Sequence, residues 1–276
     1  MEIHKPKPVH NWREFLKEYA IIVLGVMTAL AAEQAVEWFH WRSQVEDARK
    51  VVATETANNL VGAIRRMRSV QCMEQRLDTL AKILDDASRS GSLPPVGYIG
   101  QPPRSRWLSG AWDGVVASQT ATHFPREQLA GLSDTYKIVE RAQDLLAQEI
   151  VAWSELYAMV GPGRRLDPAS EAQLRSALSS ARMYNRALAT VSMFLVREVK
   201  EMGLPFSPDD LGRIAEIQTQ SLTGEKVSAT NLSPFSEICG PIGPVPPHYG
   251  EGPTDMSPVL VGKAAKSLPD FGPGAP

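Results

Sequence analysis

An uncharged run of fourteen residues near the start of the chain limits what the chain can fold into. Residues 19–32 read YAIIVLGVMTALAA, and the polar pair Glu33 and Gln34 then interrupts the run. A helix rises about 1.5 Å per residue, so this run spans only about 21 Å of the roughly 30 Å of hydrocarbon in a bilayer. The run therefore fits three structures: a cleaved secretory signal, a retained membrane anchor or a buried core helix.

The first of these, a secretory signal, has partial support. Such a signal needs a basic start, a short apolar stretch and small residues at the cleavage site. Residues 29–31 (Ala-Leu-Ala) resemble a cleavage site, but Glu14 and Glu18 lie inside the basic region and no Gly or Pro breaks the helix just before that site. The basic start consists of Lys5, Lys7, Arg13 and Lys17.

A retained anchor explains more of the segment. A helix over residues 15–38 reaches about 35 Å, which is enough to cross a bilayer. Aromatic residues are enriched at membrane–water interfaces, and neither a cleaved signal nor a soluble core helix needs two such belts. The belts are Trp12, Phe15 and Tyr19 at one end, and Trp38, Phe39 and Trp41 at the other.

The pattern thus predicts a short cytoplasmic tail (1–14), a single transmembrane anchor (15–40) with the lipid bilayer as partner, and an exported remainder. The orientation rests on a weak excess of basic residues, four before the span against three in the twenty residues after it.

One face of the predicted anchor carries small residues. Gly25 and Ala29 have the small-xxx-small spacing that allows two membrane helices to approach closely, and ionisable residues at such depth usually face protein or water. We expect self-association or contact with another membrane protein through this face; alternatively, Glu33 only reaches the lipid headgroups. The face consists of Gly25, Thr28, Ala29, Ala32 and Glu33.

The segment resembles a known group of proteins. Residues 11–42, NWREFLKEYAIIVLGVMTALAAEQAVEWFHWR, are similar to the N-termini of uncharacterised proteobacterial single-pass membrane proteins. There an EYxIIVxGVxxAL core leads into a polar EQ pair and a Trp/His-rich boundary. The segment is similar, more loosely, to other bacterial families that begin with a GEIVLVVIGILIAL-like span before a helical domain. The resemblance covers about a tenth of the chain, implies an inner-membrane location with a periplasmic bulk, and implies no activity.

Helical periodicity dominates residues 41–221. Apolar residues recur at spacings of three and four in long stretches, and no alternating Val/Ile/Thr run indicates a sheet. The chain is therefore predicted to be all-α, with the transmembrane helix continuing into an antiparallel helical bundle. The run Arg65, Arg66 and Arg68 is interpreted as a solvated helix face.

Helix ends can be placed from local signals. The first helix should end near Ser90, before Gly91, and a second should cover residues 106–121. A third should start at Pro125 and stop at the Gly-Pro-Gly of residues 161–163. Asp167 and Pro168 should start a fourth that ends at Gly203, and Ser207 with Asp210 should cap a fifth.

The C-terminal segment, residues 222–276, has a different composition. Ten of the 21 prolines follow residue 221, so this part cannot continue a helix. It either wraps the bundle as an extended strap or is partly disordered, and PIGPVPP (241–247) could alternatively serve as a polyproline-type ligand. In an oxidising compartment Cys72 and Cys239 would form a disulfide that pins the strap; in the cytoplasm they would be free thiols.

Motifs for chemistry are lacking in the sequence. The five histidines have no metal-binding spacing, and neither a phosphate loop nor a G-x-S-x-G motif occurs. A net charge of −2 does not suit non-specific nucleic-acid binding. We therefore predict no enzyme, cofactor or metal. We expect an anchored envelope protein whose periplasmic bundle serves protein–protein interaction or scaffolding, or alternatively a ligand-sensing or regulatory module acting through a partner membrane helix.

Overall fold

The structure is a computed structural model that describes residues 12–220 and 236–245. Its helices are α1 (Trp12–Ser90), α2 (Gly110–Ala117), α3 (Arg126–Leu156), α4 (Pro168–Met202), α5 (Pro208–Thr219) and α6 (Ser236–Cys239). Two short 3-10 helices (Thr120–His123 and Tyr157–Met159) and two two-residue strands, β1 (Ser92–Leu93) and β2 (Arg164–Arg165), complete it. The predicted all-α bundle with a long N-terminal helix is confirmed.

Helices α1 and α3 run in the same direction. Glu55 of α1 accepts a hydrogen bond from Tyr136 of α3, and further along both helices Arg66 binds Glu149. The chain therefore returns along the bundle between α1 and α3. Residues 91–125 make this return in an extended path along α1, ending in α2 and the first 3-10 helix.

Helix α4 lies against both of these helices and runs opposite to them. On α1, Glu74 pairs with Arg182 at 3.1 Å, and Asp85, further along α1, pairs with Arg175, which lies earlier on α4. The antiparallel packing predicted from the sequence thus applies to α4 against α1 and α3.

The apolar stripes form two separate cores. One core, nearer the N-terminal end of the bundle, includes Val52, Val139 and Leu195. The other, at the far end, includes Leu80 and Trp153. Burial of these side chains supplies most of the stability of the bundle.

A buried polar layer separates the two cores. Arg66 donates to Glu149 Oε2 at 2.7 Å and to Asn185 Oδ1 at 3.0 Å, and Asn185 donates to Glu74 Oε1 at 3.0 Å. The interpretation of the arginine run as a solvated face is therefore wrong. Arg66 is 2% exposed, and Arg68 is half-buried and donates to the carbonyl of Ile217.

The second helix is shorter than predicted: it covers Gly110–Ala117 instead of 106–121. The reason is a tertiary contact, because Asn59 donates to the Leu108 carbonyl and accepts from the Leu108 amide, both at 2.8 Å. These bonds satisfy a backbone that would otherwise need helical partners. Trp107 lies in the extended segment before α2, and its side chain is buried. The side chain of Val116, within α2, is half exposed.

The other helix ends follow the predicted signals. The Asp167 carboxylate accepts from the amides of Ala169 and Ser170 at the start of α4. Gly203 ends that helix at φ 59°. Ser207 and Asp210 form the expected capping box of α5. The third α-helix ends at Leu156, with a 3-10 turn leading into residues 161–163.

The described part of the C-terminal segment lies on the bundle. Cys72 and Cys239 form a disulfide with a Cα–Cα distance of 4.8 Å. One turn along α1, Arg76 donates to the carbonyls of Ile99 at 2.7 Å and Gly240 at 2.5 Å. Gly243 donates to the Tyr98 carbonyl at 2.8 Å. The strap is thus present over residues 236–245, which include the first five residues of PIGPVPP; the remaining predictions for 222–276 lie outside the described residues.

Candidate functional site

The first part of α1 projects from the bundle. No described side chain in residues 12–44 is buried, and burial begins at Val45. At about 1.5 Å per residue this segment is about 50 Å long. Ile21 and Leu24 are 69% and 68% exposed, a degree of exposure that is unusual for a continuous apolar helix in a soluble protein.

The projecting part of α1 is long and apolar enough to cross a membrane. Its most apolar 18-residue window has a mean hydropathy of 1.7, and none of that window is buried. The interpretation of this stretch as a buried core helix is therefore wrong. The helix also continues through Ala31 to Ser90 without a break.

The aromatic residues predicted as interface belts lie at the two ends of the projecting segment. Trp12, Phe15 and Tyr19 share one helix face, with ring centroids 5.7 and 6.2 Å apart. Trp38 and Phe39 meet edge to face at 4.9 Å. The belts are thus separated by the apolar run, as an interfacial role requires. Trp41 differs from the others because it is only half-exposed and contacts the bundle.

The predicted association face is open along its whole length. Gly25, Thr28, Ala29, Ala32 and Glu33 are all exposed. A Cβ atom at Gly25 would meet no atom within 4 Å, so packing within the single chain does not require glycine there. The Thr28 hydroxyl donates to the Leu24 carbonyl at 2.7 Å and is satisfied within the helix. Association through this face stays a prediction.

An aromatic stack joins the projecting segment to the bundle. The Trp41 ring stacks on His123 with centroids 3.8 Å apart and planes 17° from parallel. His123 ends the first 3-10 helix, which begins after Gln119, a residue in the left-handed conformation at φ 61°. Such a backbone is costly for a non-glycine residue, so the turn is specified by the surrounding packing.

Cationic side chains surround this stack. The Arg42 guanidinium lies 5.2 Å from the Trp38 ring centroid. The Arg49 guanidinium lies 5.6 Å from the Phe124 ring and donates to Gln128 at 2.9 Å. Arg42 and Arg49 line an open cleft of about 380 Å³ together with the stacked rings of Trp41 and His123. Aromatic and basic groups side by side suit a membrane–water interface, where rings and cations meet lipid headgroups.

Glu55 holds the segment that carries His123. Its carboxylate accepts from the amides of Ala111 at 2.8 Å and Trp112 at 3.3 Å, so it caps α2 from another helix. It also accepts from the Tyr136 hydroxyl at 2.8 Å. Burial, and next the hydrogen bond to Glu55, raise the pKa of Tyr136 above its ordinary value.

Sequence reasoning did not find the roles of Glu55 and Glu149. Each acts across a long sequence separation, and a single polar residue within a helical pattern gives no signal of its partner. The aromatic position Trp41 was found, since its type and place beside the span mark an interface.

Metal chemistry finds no support in the described ranges 12–220 and 236–245, where no group of three His, Cys, Asp or Glu side chains could hold an ion. No family model, curated protein or solved structure matches this chain. The likeness of residues 11–42 to uncharacterised bacterial membrane proteins therefore stays a prediction.

Proposed function

We propose that this chain is a single-pass protein of a bacterial inner membrane whose bundle lies in the periplasm and serves protein–protein interaction or scaffolding. The observation that carries the proposal is the wholly exposed apolar segment of α1. Exposing it to water is unfavourable, so a bilayer is its natural surrounding. The continuity of the helix through Ala31 supports a retained anchor over a cleaved signal.

Placement of the bundle in the periplasm is supported by the cysteines. Disulfides persist in oxidising compartments, and the cytoplasm keeps thiols reduced. Cys72 and Cys239 are bonded, and the bond pins the strap to the bundle. The basic residues of the N-terminal flank support the same orientation, with the tail inside.

An interaction role is supported by the interior of the bundle. Its two cores are filled by closely packed apolar side chains such as Met73, Leu77 and Trp153. Four clefts along the described helices are open at the surface. A filled apolar core of this kind favours a role in which the surface of the bundle contacts other proteins.

A regulatory role through a partner membrane helix is the second candidate. One rigid element, the 79-residue α1, includes the apolar segment and contributes to both cores. A shift in how the bundle packs would therefore move the anchor directly. A partner helix bound at the open face around Gly25 and Glu33 would respond to that movement.

Orientation is tested with reporter fusions at the C-terminus. Alkaline phosphatase should be active and green fluorescent protein dark, since the first needs the periplasm and the second the cytoplasm to mature. A non-reducing gel of the same cells should show the Cys72–Cys239 bond. An inactive phosphatase together with free thiols would contradict the proposed orientation.

Partner binding is tested by crosslinking in membranes followed by purification. Gly25→Leu and Glu33→Leu should each lower the yield of crosslinked species if the anchor face makes the contact, and Met27→Leu, on the opposite side of the helix, is the matched control. Loss of crosslinks only when residues 1–40 are replaced by an unrelated span would also place the contact in the anchor. Unchanged crosslinks in Gly25→Leu, in Glu33→Leu and in the chain with the replaced span would assign the contact to the bundle. This result would remove the regulatory candidate.

A further inference from the structure

A second cleft lies on the side of the bundle, between α1 and the extended segment 104–108. Its volume is about 330 Å³. Residues from both segments line it: Asn58, Val61, Gly62, Arg65, Arg104, Ser105, Arg106 and Leu108. Three of these eight are arginines and none is acidic, which is unusual for a chain of balanced charge.

The arginines of this cleft lack acidic partners. In the described part of the chain Arg65, Arg104 and Arg106 form no ion pair, whereas Arg66, Arg175 and Arg182 all do. The Nε atom of Arg65 is buried and has no hydrogen-bond partner among the described residues. A buried donor without an acceptor is costly, so the protein itself satisfies the Arg65 guanidinium incompletely.

Burial lowers the pKa of Arg65, because desolvation disfavours the charged form. The guanidinium stays protonated at neutral pH all the same, since an arginine pKa lies so high. The cleft therefore holds a partly desolvated positive charge, and an anion entering it would meet weaker screening than at an open surface.

Neighbouring contacts hold the cleft in shape. Ser105 donates to the Gly62 carbonyl at 3.1 Å, and a Cβ atom at Gly62 would lie only 2.9 Å from the Ser105 Cβ. This close approach fixes the segment that carries Arg104 and Arg106 against α1. The Asn58 side chain accepts from Arg213 of α5 through its Oδ1, which leaves its amide NH₂ as a further donor at the rim.

We infer that this cleft binds the oxyanion group of a phosphorylated ligand. Guanidinium groups bind phosphate oxygens in a bidentate manner, and three of them match its charge better than that of a single carboxylate. A half-buried guanidinium at Arg65 beside two exposed ones at Arg104 and Arg106 provides a partly desolvated contact for an anion and an attractive field around it.

The source of the phosphate is a soluble ligand and not the supporting membrane. Arg65 lies 24 residues beyond Trp41 on the same continuous helix, a rise of about 36 Å along the helix. If Trp41 marks the membrane interface, the headgroups lie well below the cleft. This step rests on the proposed membrane placement, whereas phosphate binding itself does not.

Isothermal titration of the full chain in nanodiscs tests the inference, with inorganic phosphate and glycerol 3-phosphate as probes at low salt. Phosphatidylcholine discs provide the neutral reference. The wild-type chain should bind both probes. Arg65→Gln should weaken binding by about tenfold or more, as expected for loss of a charged hydrogen-bond donor. The double variant Arg104→Gln/Arg106→Gln retains Arg65 and should weaken binding as well.

Arg126→Gln is the matched control, because Arg126 is exposed at the start of α3 and forms no ion pair within the described residues. It should change the Kd less than twofold. Absence of binding to the wild-type chain, or equal binding by the cleft variants and the control, would overturn the inference.

Discs with phosphatidylglycerol distinguish the source of the phosphate. An unchanged titration supports a soluble ligand, and loss of the phosphate signal would mean that lipid headgroups occupy the cleft. A chain that binds phosphate yet fails to insert would contradict the proposed anchor only.

Discussion

The indole of Trp41 lies flat on the imidazole of His123, with the ring centroids 3.8 Å apart. This contact fastens the last turns of the projecting segment to the turn between α2 and α3. It therefore adds a tertiary contact at the point where the projecting segment of α1 meets the bundle.

Removing one ring of this stack should weaken the junction, that is, the contact between the projecting segment of α1 and the bundle. His123→Ala should lower the free energy of unfolding by about 0.5–1.5 kcal/mol, the usual contribution of an aromatic pair. Proteolysis between residues 41 and 45 should become faster at the same time. Thermal unfolding of the detergent-solubilised chain and timed trypsin digestion measure the two effects.

Phe39→Ala is the control for the junction, because Phe39 is 66% exposed and contacts only its neighbour Trp38 among the described rings. It should leave both stability and digestion unchanged. Equal digestion of the His123 and Phe39 variants would show that the stack does not hold the junction.

Breaking the ion pair between the two cores should be strongly destabilising. In Glu149→Gln, Arg66 would remain buried without its counter-charge, and removing one partner of such a pair typically costs about 3–5 kcal/mol. Urea unfolding followed by tryptophan fluorescence measures the loss. Asp134→Asn breaks an exposed pair with Lys137 and should cost less than about 1 kcal/mol.

The double variant Arg66→Met/Glu149→Leu separates charge from packing. It removes both charges and retains apolar volume, so it should recover most of the stability that Glu149→Gln loses. A double variant as unstable as the single one would show that Arg66 and Glu149 act mainly through packing.

The disulfide should contribute strongly to stability. Its closed loop spans a sequence separation of 167 residues, for which the chain-entropy treatment gives about 5 kcal/mol as an upper value. Cys72→Ser/Cys239→Ser should therefore unfold at markedly lower urea concentration. The same shift should appear when the wild-type chain is reduced, and no shift on reduction would contradict a bonded pair in the native protein.

Tyr136→Phe should show a pH-dependent effect. Because the pKa of Tyr136 is raised in the folded chain, its contribution to stability is fully present below the unfolded value near 10 and decreases as the pH rises above it. At pH 7 the variant should be less stable by about 1–3 kcal/mol, since it loses the bond to Glu55. The gap to wild type should narrow above pH 10 in urea titrations, and a constant gap up to pH 11 would contradict this assignment.

Local rules were sufficient for the ends of the long helices. Asp167 with Pro168, the Ser207–Asp210 capping box and Gly203 all act within one turn of their own backbone, so their chemistry is readable from the sequence. Along α4 the periodically spaced Leu174, Leu188 and Leu195 form one buried face, as a single helical period predicts. In α3 the buried face drifts, and Ile150 is 38% exposed where Glu149 is buried.

Tertiary contacts determined what the sequence could not predict. The second helix begins late because Asn59 binds the backbone of Leu108. The parallel course of α1 and α3 depends on the direction of the segment 91–125, and its proline-rich composition indicates a loop without giving its path. Arg66 looked like part of a solvated run because its partner Glu149 lies 83 residues away.

Retention of the N-terminal anchor can be measured by alkaline extraction of membranes followed by peptide mapping. We expect the 30.2 kDa chain to stay in the membrane pellet and peptides covering residues 1–31 to be recovered from it. Release of the chain into the supernatant, or a mature N-terminus at Ala32 with no recovery of the preceding residues, would contradict it.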